Sequence, residues 1–79
     1  MAMVKSILAD ERDFRSVHPA IVDCRYLVSE RDGRKVLQLN TYGSANRQIP
    51  NKLSQTIQFD EESARSLWRI LSTEFGFKG

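Results

Sequence analysis

The side chains with the most distinctive chemistry lie in the middle third of the chain. Residues 25–52 carry six lysines and arginines against two acidic residues, whereas the segments on either side are slightly acidic. Cations that are segregated in this way are typical of a surface that binds a polyanion. The simpler alternative is that these charges only keep an exposed hairpin soluble.

Single-stranded nucleic acid is bound by three kinds of side chain. Cations contact the phosphates, aromatic rings stack on the bases, and amides or hydroxyls form hydrogen bonds. The basic segment contains all three kinds, so the expected ligand is single-stranded DNA or RNA. The nucleic-acid-binding residues predicted from the sequence pattern are Arg25, Arg31, Arg34, Gln38, Asn40, Tyr42, Arg47 and Lys52.

Residues that could act in catalysis or bind a metal are scarce. The acidic pair Glu61-Glu62 is explained by the start of a helix, and the four glycines form no phosphate-binding loop. His18 precedes a proline in an expected loop, and Cys24 is expected to be a buried structural thiol. One histidine and one cysteine are too few for a structural zinc site. The sequence therefore predicts a protein that is not an enzyme and uses no metal, cofactor or small-molecule substrate.

Two strands joined by a tight turn must position the basic segment. Residues 20–30 and 34–42 are rich in β-branched and aromatic types. Asp32-Gly33 lies between them and favours a two-residue type I′ turn, because both positions need a positive φ angle. Such a turn sets the residue before Asp32 opposite the residue after Gly33.

This register divides the hairpin into two faces. The face expected to pack into the core carries Cys24, Tyr26, Val28, Leu37, Leu39 and Thr41, with Glu30 opposite Lys35 at its rim. The other face carries Asp23, Arg25, Leu27, Ser29, Arg31, Arg34, Val36, Gln38, Asn40 and Tyr42. Arginines and amides are unusual on a face that is merely solvated, so this second face is the predicted binding surface.

A third strand and a helix follow. Residues 53–59 alternate between apolar and polar types, and Asp60 is the expected N-cap of a helix over 61–75 that ends at Gly76. The apolar stripe of this helix is larger than one face of a small sheet requires. The surplus predicts a homodimer, with an interface formed by Leu67, Trp68, Ile70, Leu71 and Phe75.

The length of 79 residues allows one domain of the α+β class. Residues 20–79 are expected to form the sheet and the C-terminal helix. Residues 1–19 are expected to form an arm, a short helix or an extra strand. No run is long and apolar enough to span a membrane, and the single cysteine favours a reducing compartment, so the expected location is the cytoplasm.

Several short segments follow one another in the order that one known family shows. They are Arg25-Tyr26, Lys35-Val36-Leu37, Leu39, Tyr42, Pro50-Asn51-Lys52, Thr56-Ile57-Gln58-Phe59 and Asp60-Glu61-Glu62. Over about residues 24–75, this order resembles the single-stranded-DNA-binding domain of the transcriptional coactivator PC4 (p15) family.

That resemblance implies a strongly curved antiparallel sheet backed by a C-terminal helix. It also implies a homodimer made largely through the helices, which binds two antiparallel DNA strands across the sheets. The basic and aromatic residues that match are Arg25, Lys35, Tyr42 and Lys52, so Lys35 joins the predicted binding residues. A role as an accessory factor in transcription or DNA maintenance would follow.

Two other functions fit parts of the pattern. With a helical N-terminus, the element order also fits a double-stranded-RNA-binding domain, but Asp60-Glu61-Glu62 would repel RNA where that family needs lysines. A rival of another class is a small protein-interaction module, such as a phage or plasmid inhibitor, that uses the sheet face against a protein. Binding of nucleic acid should weaken steeply with salt, whereas binding of a protein need not.

Overall fold

The computed structural model describes residues 1–43 and 53–78. Its elements are β1 (Ala2–Val4), β2 (Asp23–Arg31), β3 (Arg34–Tyr42), β4 (Leu53–Phe59) and α1 (Glu61–Phe75). The strands form one open sheet in the order β1-β4-β3-β2, and α1 follows the last strand. The fold is therefore α+β, with a sheet and a C-terminal helix as predicted.

The hairpin of β2 and β3 has the predicted register. Asp32 and Gly33 have φ angles of 54° and 75°, which a type I′ turn requires. The two strands pair over their whole length, from Arg31 opposite Arg34 to Asp23 opposite Tyr42. Strand β2 begins at Asp23 rather than at residue 20, so its predicted start is three residues too early.

The remaining strands complete a mixed sheet. β4 pairs antiparallel with β3, and the register shifts between Thr41, which lies opposite Gln55, and Tyr42, which lies opposite Leu53. β1 pairs parallel with β4, with Val4 opposite Phe59. The antiparallel arrangement predicted for the hairpin and the third strand is correct. Of the alternatives for residues 1–19, the short strand is observed and the helix is not.

Helix α1 begins and ends where its capping residues predict. The Asp60 side chain accepts a hydrogen bond of 2.9 Å from the backbone N–H of Ser63, and the Ser63 hydroxyl accepts one of 3.1 Å from the Asp60 N–H. This reciprocal pair is a capping box. At the other end, Gly76 has a φ angle of 69°, and the Phe77 ring stacks on Phe75 with centroids 5.5 Å apart.

The helix lies over the face of the sheet that carries Val28, Leu37 and Phe59, where these residues and Trp68 line one cavity. We call this the inner face; it consists of Cys24, Tyr26, Val28, Glu30, Lys35, Leu37, Leu39, Thr41, Gln55, Ile57 and Phe59. Phe59 is its only buried apolar residue within the described ranges, at 6% exposure.

The prediction that Cys24 is a buried thiol is wrong. Cys24 lies on the inner face as predicted, but its side chain is exposed. The helix packs against β3 and β4, so it leaves this end of β2 uncovered. Within the described ranges, no helix is sufficiently long and apolar to cross a membrane.

Candidate nucleic-acid interface

The candidate interface is the face of the sheet that points away from the helix. We call it the outer face. Its residues on the three longer strands are Asp23, Arg25, Leu27, Ser29, Arg31, Arg34, Val36, Gln38, Asn40, Tyr42, Thr56 and Gln58. Six of the predicted binding residues lie together on this face, because β2 and β3 alternate in the predicted register.

Four polar side chains in the middle of the outer face form one hydrogen-bonded ladder. The register sets Gln38 opposite Gln58 and Asn40 opposite Thr56. Gln58 Nε2 donates to Gln38 Oε1 at 2.8 Å, and Gln38 Nε2 donates to Asn40 Oδ1 at 3.0 Å. Thr56 Oγ1 donates to the same Asn40 oxygen at 3.1 Å. These bonds hold the side chains in fixed positions on the sheet, so the ladder is ready to meet a ligand without first being ordered.

The ladder has a direction. Every one of its hydrogen bonds is donated toward Asn40 Oδ1, so among residues 1–43 and 53–78 no side chain uses the Asn40 amide nitrogen as a donor or the Gln58 amide oxygen as an acceptor. Asn40 itself is only 9% exposed. The outer face therefore has a largely buried amide donor on β3 and a half-buried amide acceptor on β4, and base edges likewise combine donors and acceptors.

Arg25 and Tyr42 form a cation–π pair at one end of the ladder. The Arg25 guanidinium carbon lies 5.3 Å from the centre of the Tyr42 ring. The two residues are diagonal neighbours across β2 and β3, because Arg25 pairs with Asn40 and Tyr42 pairs with Asp23. The ring holds the guanidinium group in place but uses none of its N–H donors, which stay available to a phosphate.

Arg31 lies on the same strand as Arg25, near the hairpin turn. One of its terminal nitrogens donates to the Ser29 hydroxyl and to the Glu30 carbonyl oxygen. Its cross-strand neighbour is Arg34, and both arginines are exposed. The ion pairs found among residues 1–43 and 53–78 are Arg12 with Asp10 and Arg65 with Glu61. The three arginines of the outer face thus have no carboxylate partner in those ranges.

Lys35 does not join the other predicted binding residues. It lies opposite Glu30 on the inner face and lines the cavity next to the helix. Arg34 belongs to the outer face by its register, but at the hairpin tip it also lines this cavity. Arg47 and Lys52 lie outside the described residues. The binding residues predicted from the sequence did not include Thr56 and Gln58, although the alternation of polar residues in 53–59 was a signal that could have identified them.

An open cavity of about 870 Å³ lies between the inner face and the helix. The apolar side chains Val28, Leu37, Phe59 and Trp68 line it together with six charged residues. Among the predicted dimer residues, Leu67 and Leu71 are half-buried, while the other three remain exposed. Those three are Trp68 at 51%, Ile70 at 39% and Phe75 at 68%.

The described part of the chain contains no group of three or more His, Cys, Asp or Glu side chains that could hold a metal ion. In comparison with known proteins, the chain matches no family model, no curated protein and no solved structure. The resemblance to the PC4 (p15) family therefore stays a prediction, and the outer face is the feature of the molecule that indicates a function.

Proposed function

We propose that this protein binds single-stranded nucleic acid on the outer face of its sheet. The observation that supports this most strongly is the combination of a fixed amide ladder with arginines that have no carboxylate partner among the described residues. Solubility alone does not require ordered amides, whereas a binding surface loses less entropy when its polar groups are already fixed.

Each group of the outer face has a role in this proposal. Arg25 and Arg31 contact phosphates, and Tyr42 presents an aromatic ring beside which a base can stack. The ladder on β3 and β4 forms hydrogen bonds with base edges. Because Arg25 and Arg31 are six residues apart on one strand, they lie about 20 Å apart, a distance that a strand of a few nucleotides spans.

The proposal also includes a homodimer formed through Leu67, Trp68, Ile70, Leu71 and Phe75 of α1. The exposed rings of Trp68 and Phe75 support it, because an apolar helix face of this kind is stabilised when another surface covers it. In such a dimer the protein would act in the cytoplasm as an accessory factor of transcription or DNA maintenance, as the PC4 (p15) resemblance implies.

The test is a fluorescence-anisotropy titration with single-stranded DNA, single-stranded RNA and duplex DNA at two salt concentrations. We expect low-micromolar or tighter binding to single strands, weaker binding to duplex, and a steep loss of affinity with salt as counterions are released. Replacing Arg25 and Arg31 together by Ala should weaken binding at least about tenfold. It should also reduce the slope of log affinity against log salt concentration by roughly two, because two phosphate contacts are lost.

Arg69→Ala is the matched control, because Arg69 is an exposed arginine on the helix, away from the outer face. The affinity of the Arg69→Ala protein for single strands should fall only slightly. If the double variant binds as tightly as the Arg69→Ala protein, the outer face is not the binding site. Saturable binding of a protein partner without salt dependence would instead support the interaction-module alternative.

A further inference from the structure

We propose that the exposed edge of β2 is a self-recognition surface, where a second copy of this chain pairs antiparallel and continues the sheet. β2 is the outermost strand on its side of the sheet. It is nine residues long, contains no proline and pairs with β3 without a bulge. Natural proteins protect long edges with short strands, prolines, bulges or covering loops. Charged side chains are a further protection, and β2 carries four of them, at Asp23, Arg25, Glu30 and Arg31. Within the described ranges, β2 has none of the other protections.

The backbone groups that this edge offers follow from the hairpin turn. The hydrogen bond that closes a two-residue turn joins Arg31 to Arg34, so the backbone of Arg31 faces β3. Because N–H and C=O groups alternate in direction along an antiparallel strand, Cys24, Tyr26, Val28 and Glu30 turn theirs away from β3. These residues provide eight backbone donors and acceptors along the open edge.

A twofold axis through Leu27 satisfies all of these groups. In this register Tyr26 lies opposite the partner's Val28, and Cys24 lies opposite the partner's Glu30. Both pairs consist of residues whose backbone groups point outward, so each pair can exchange two hydrogen bonds. Tyr26 is 73% exposed and Val28 is 52% exposed. Pairing would cover both, as an aromatic side chain opposite a β-branched one.

The charges of β2 favour this register over its neighbours. With the axis at Leu27, Asp23 lies opposite the partner's Arg31 at each end of the paired strands. A shift of one residue in the axis toward Val28 would set Arg25 opposite the partner's Arg31, which places like charges together. A shift toward Tyr26 would leave Asp23 opposite the partner's Ser29 and lose both ion pairs. The strand is thus self-complementary at its full length.

Pairing through β2 would join the outer faces of two copies into one surface. The Arg25–Tyr42 pair of one copy would then adjoin the partner's Ser29 on the same side of the sheet. An arginine has five N–H donors, so Arg31 can meet the partner's Asp23 and still contact a phosphate. The inference does not depend on nucleic-acid binding, because the backbone groups and charges of β2 carry it alone.

The first test is disulfide cross-linking in a Cys24→Ser background. Leu27 lies opposite its own copy, as a pair without direct hydrogen bonds, so the two Cα atoms should be about 4.5 Å apart. That distance is within disulfide range. Leu27→Cys should therefore form a covalent dimer under mild oxidation. Ser29→Cys is the control, because the two copies of residue 29 would be more than about 13 Å apart along the strands.

The second test exchanges charges. Asp23→Arg and Arg31→Asp should each weaken self-association about tenfold in sedimentation equilibrium, since like charges then meet at both ends of the strand. Mixing the two variants should restore association, because every opposed pair is again of opposite sign. Circular dichroism checks that both variants fold. No cross-link at residue 27, equal cross-linking at residue 29, or no restoration in the mixture would each overturn the proposal.

Discussion

Asn40 is the residue on which the organisation of the outer face depends. Its amide oxygen accepts hydrogen bonds from Gln38 and Thr56, and Gln58 is linked to it through Gln38, so side chains from two strands, β3 and β4, are ordered around one atom. The side chain is 9% exposed, which is low for an asparagine in the middle of an open face. A buried polar atom is stable only while it keeps its hydrogen bonds. The ladder therefore stabilises the sheet as well as presenting polar groups.

Thr56→Val removes one donor from this ladder while it keeps the shape and the β-propensity of the side chain. We expect it to lower the free energy of unfolding by about 1 kcal/mol, the usual net contribution of one hydrogen bond. Urea denaturation followed by circular dichroism measures the change. Thr41→Val on the inner face is the control, because Thr41 is also half-buried and lies in an adjacent strand. Equal losses in both variants would show that the ladder has no special role in stability.

At the scale of elements, the start of α1 is a pH-sensitive feature. Hydrogen bonds from the Ser63 backbone N–H and hydroxyl to the Asp60 carboxylate hold the pKa of Asp60 below its ordinary value of 3.8. A carboxylate whose pKa is lower in the folded state stabilises the fold above its unfolded-state pKa. This stabilisation is lost as the pH falls from about 4 through the lower folded-state value.

Asp60→Asn removes the carboxylate charge but keeps a side-chain oxygen that can cap the helix. Asparagine is an N-cap residue of similar quality, so the variant should unfold at nearly the wild-type urea concentration at pH 7. Asp60→Ala should unfold at a lower concentration at every pH, because the helix loses its cap. Between pH 4 and pH 2 the wild type should lose more stability than either variant. An unchanged acid dependence in Asp60→Asn would show that other carboxylates dominate it.

The hairpin and the helix were predictable because local residues determine them. Asp32 and Gly33 adopt the positive φ angles that fix the register of β2 and β3. Asp60 and Gly76 mark the ends of α1 through bonds and backbone angles that involve only near neighbours. Another hairpin register would leave the turn without its Asp-Gly pair, and other helix bounds would leave a helix end without its capping residue. The register and the helix bounds therefore follow from the sequence.

The parts that sequence reasoning left open or did not predict depend on distant contacts. β1 is three residues long and exists only because it pairs with β4, more than fifty positions later. A segment of that length carries no periodic pattern. The side of the sheet on which Cys24 lies follows from the register, but its exposure depends on where the helix ends over the sheet. Thr56 and Gln58 join the ladder through pairs with β3, whose register the sequence did not fix.

At the scale of the whole molecule, the inner face is too open for a sheet with one helix. Phe59 is its single buried apolar residue among those described, while Tyr26, Val28 and Trp68 are each more than half exposed. An open apolar face of this kind is typical of a chain that is completed by another surface. A short domain has little other means of stabilisation when it has no disulfide.

Trp68→Glu tests whether the helix helps to complete the molecule. Trp68 lines the cavity and lies on the predicted dimer stripe, so a carboxylate there would have to be desolvated at the interface. We expect sedimentation velocity to show a monomer, or a chain that has lost its fold by circular dichroism. Thr73→Glu adds the same charge on an exposed position that points about 140° away from Trp68, and it should sediment as the wild type does.

The outcome also distinguishes the two interfaces. If Trp68→Glu remains a folded dimer that still cross-links through Leu27→Cys, the edge of β2 suffices for assembly and α1 is not required. If it becomes a folded monomer and the cross-link disappears, the helix stripe must be covered before the strands can pair. A folded dimer that does not cross-link through Leu27→Cys would show that the two copies associate through contacts other than the β2 edge. The β2 edge lies beside the inner face, where Tyr26 and Val28 are exposed, so one twofold dimer could use both the β2 edge and the helix stripe. The variant that combines Trp68→Glu with Leu27→Cys shows whether it does.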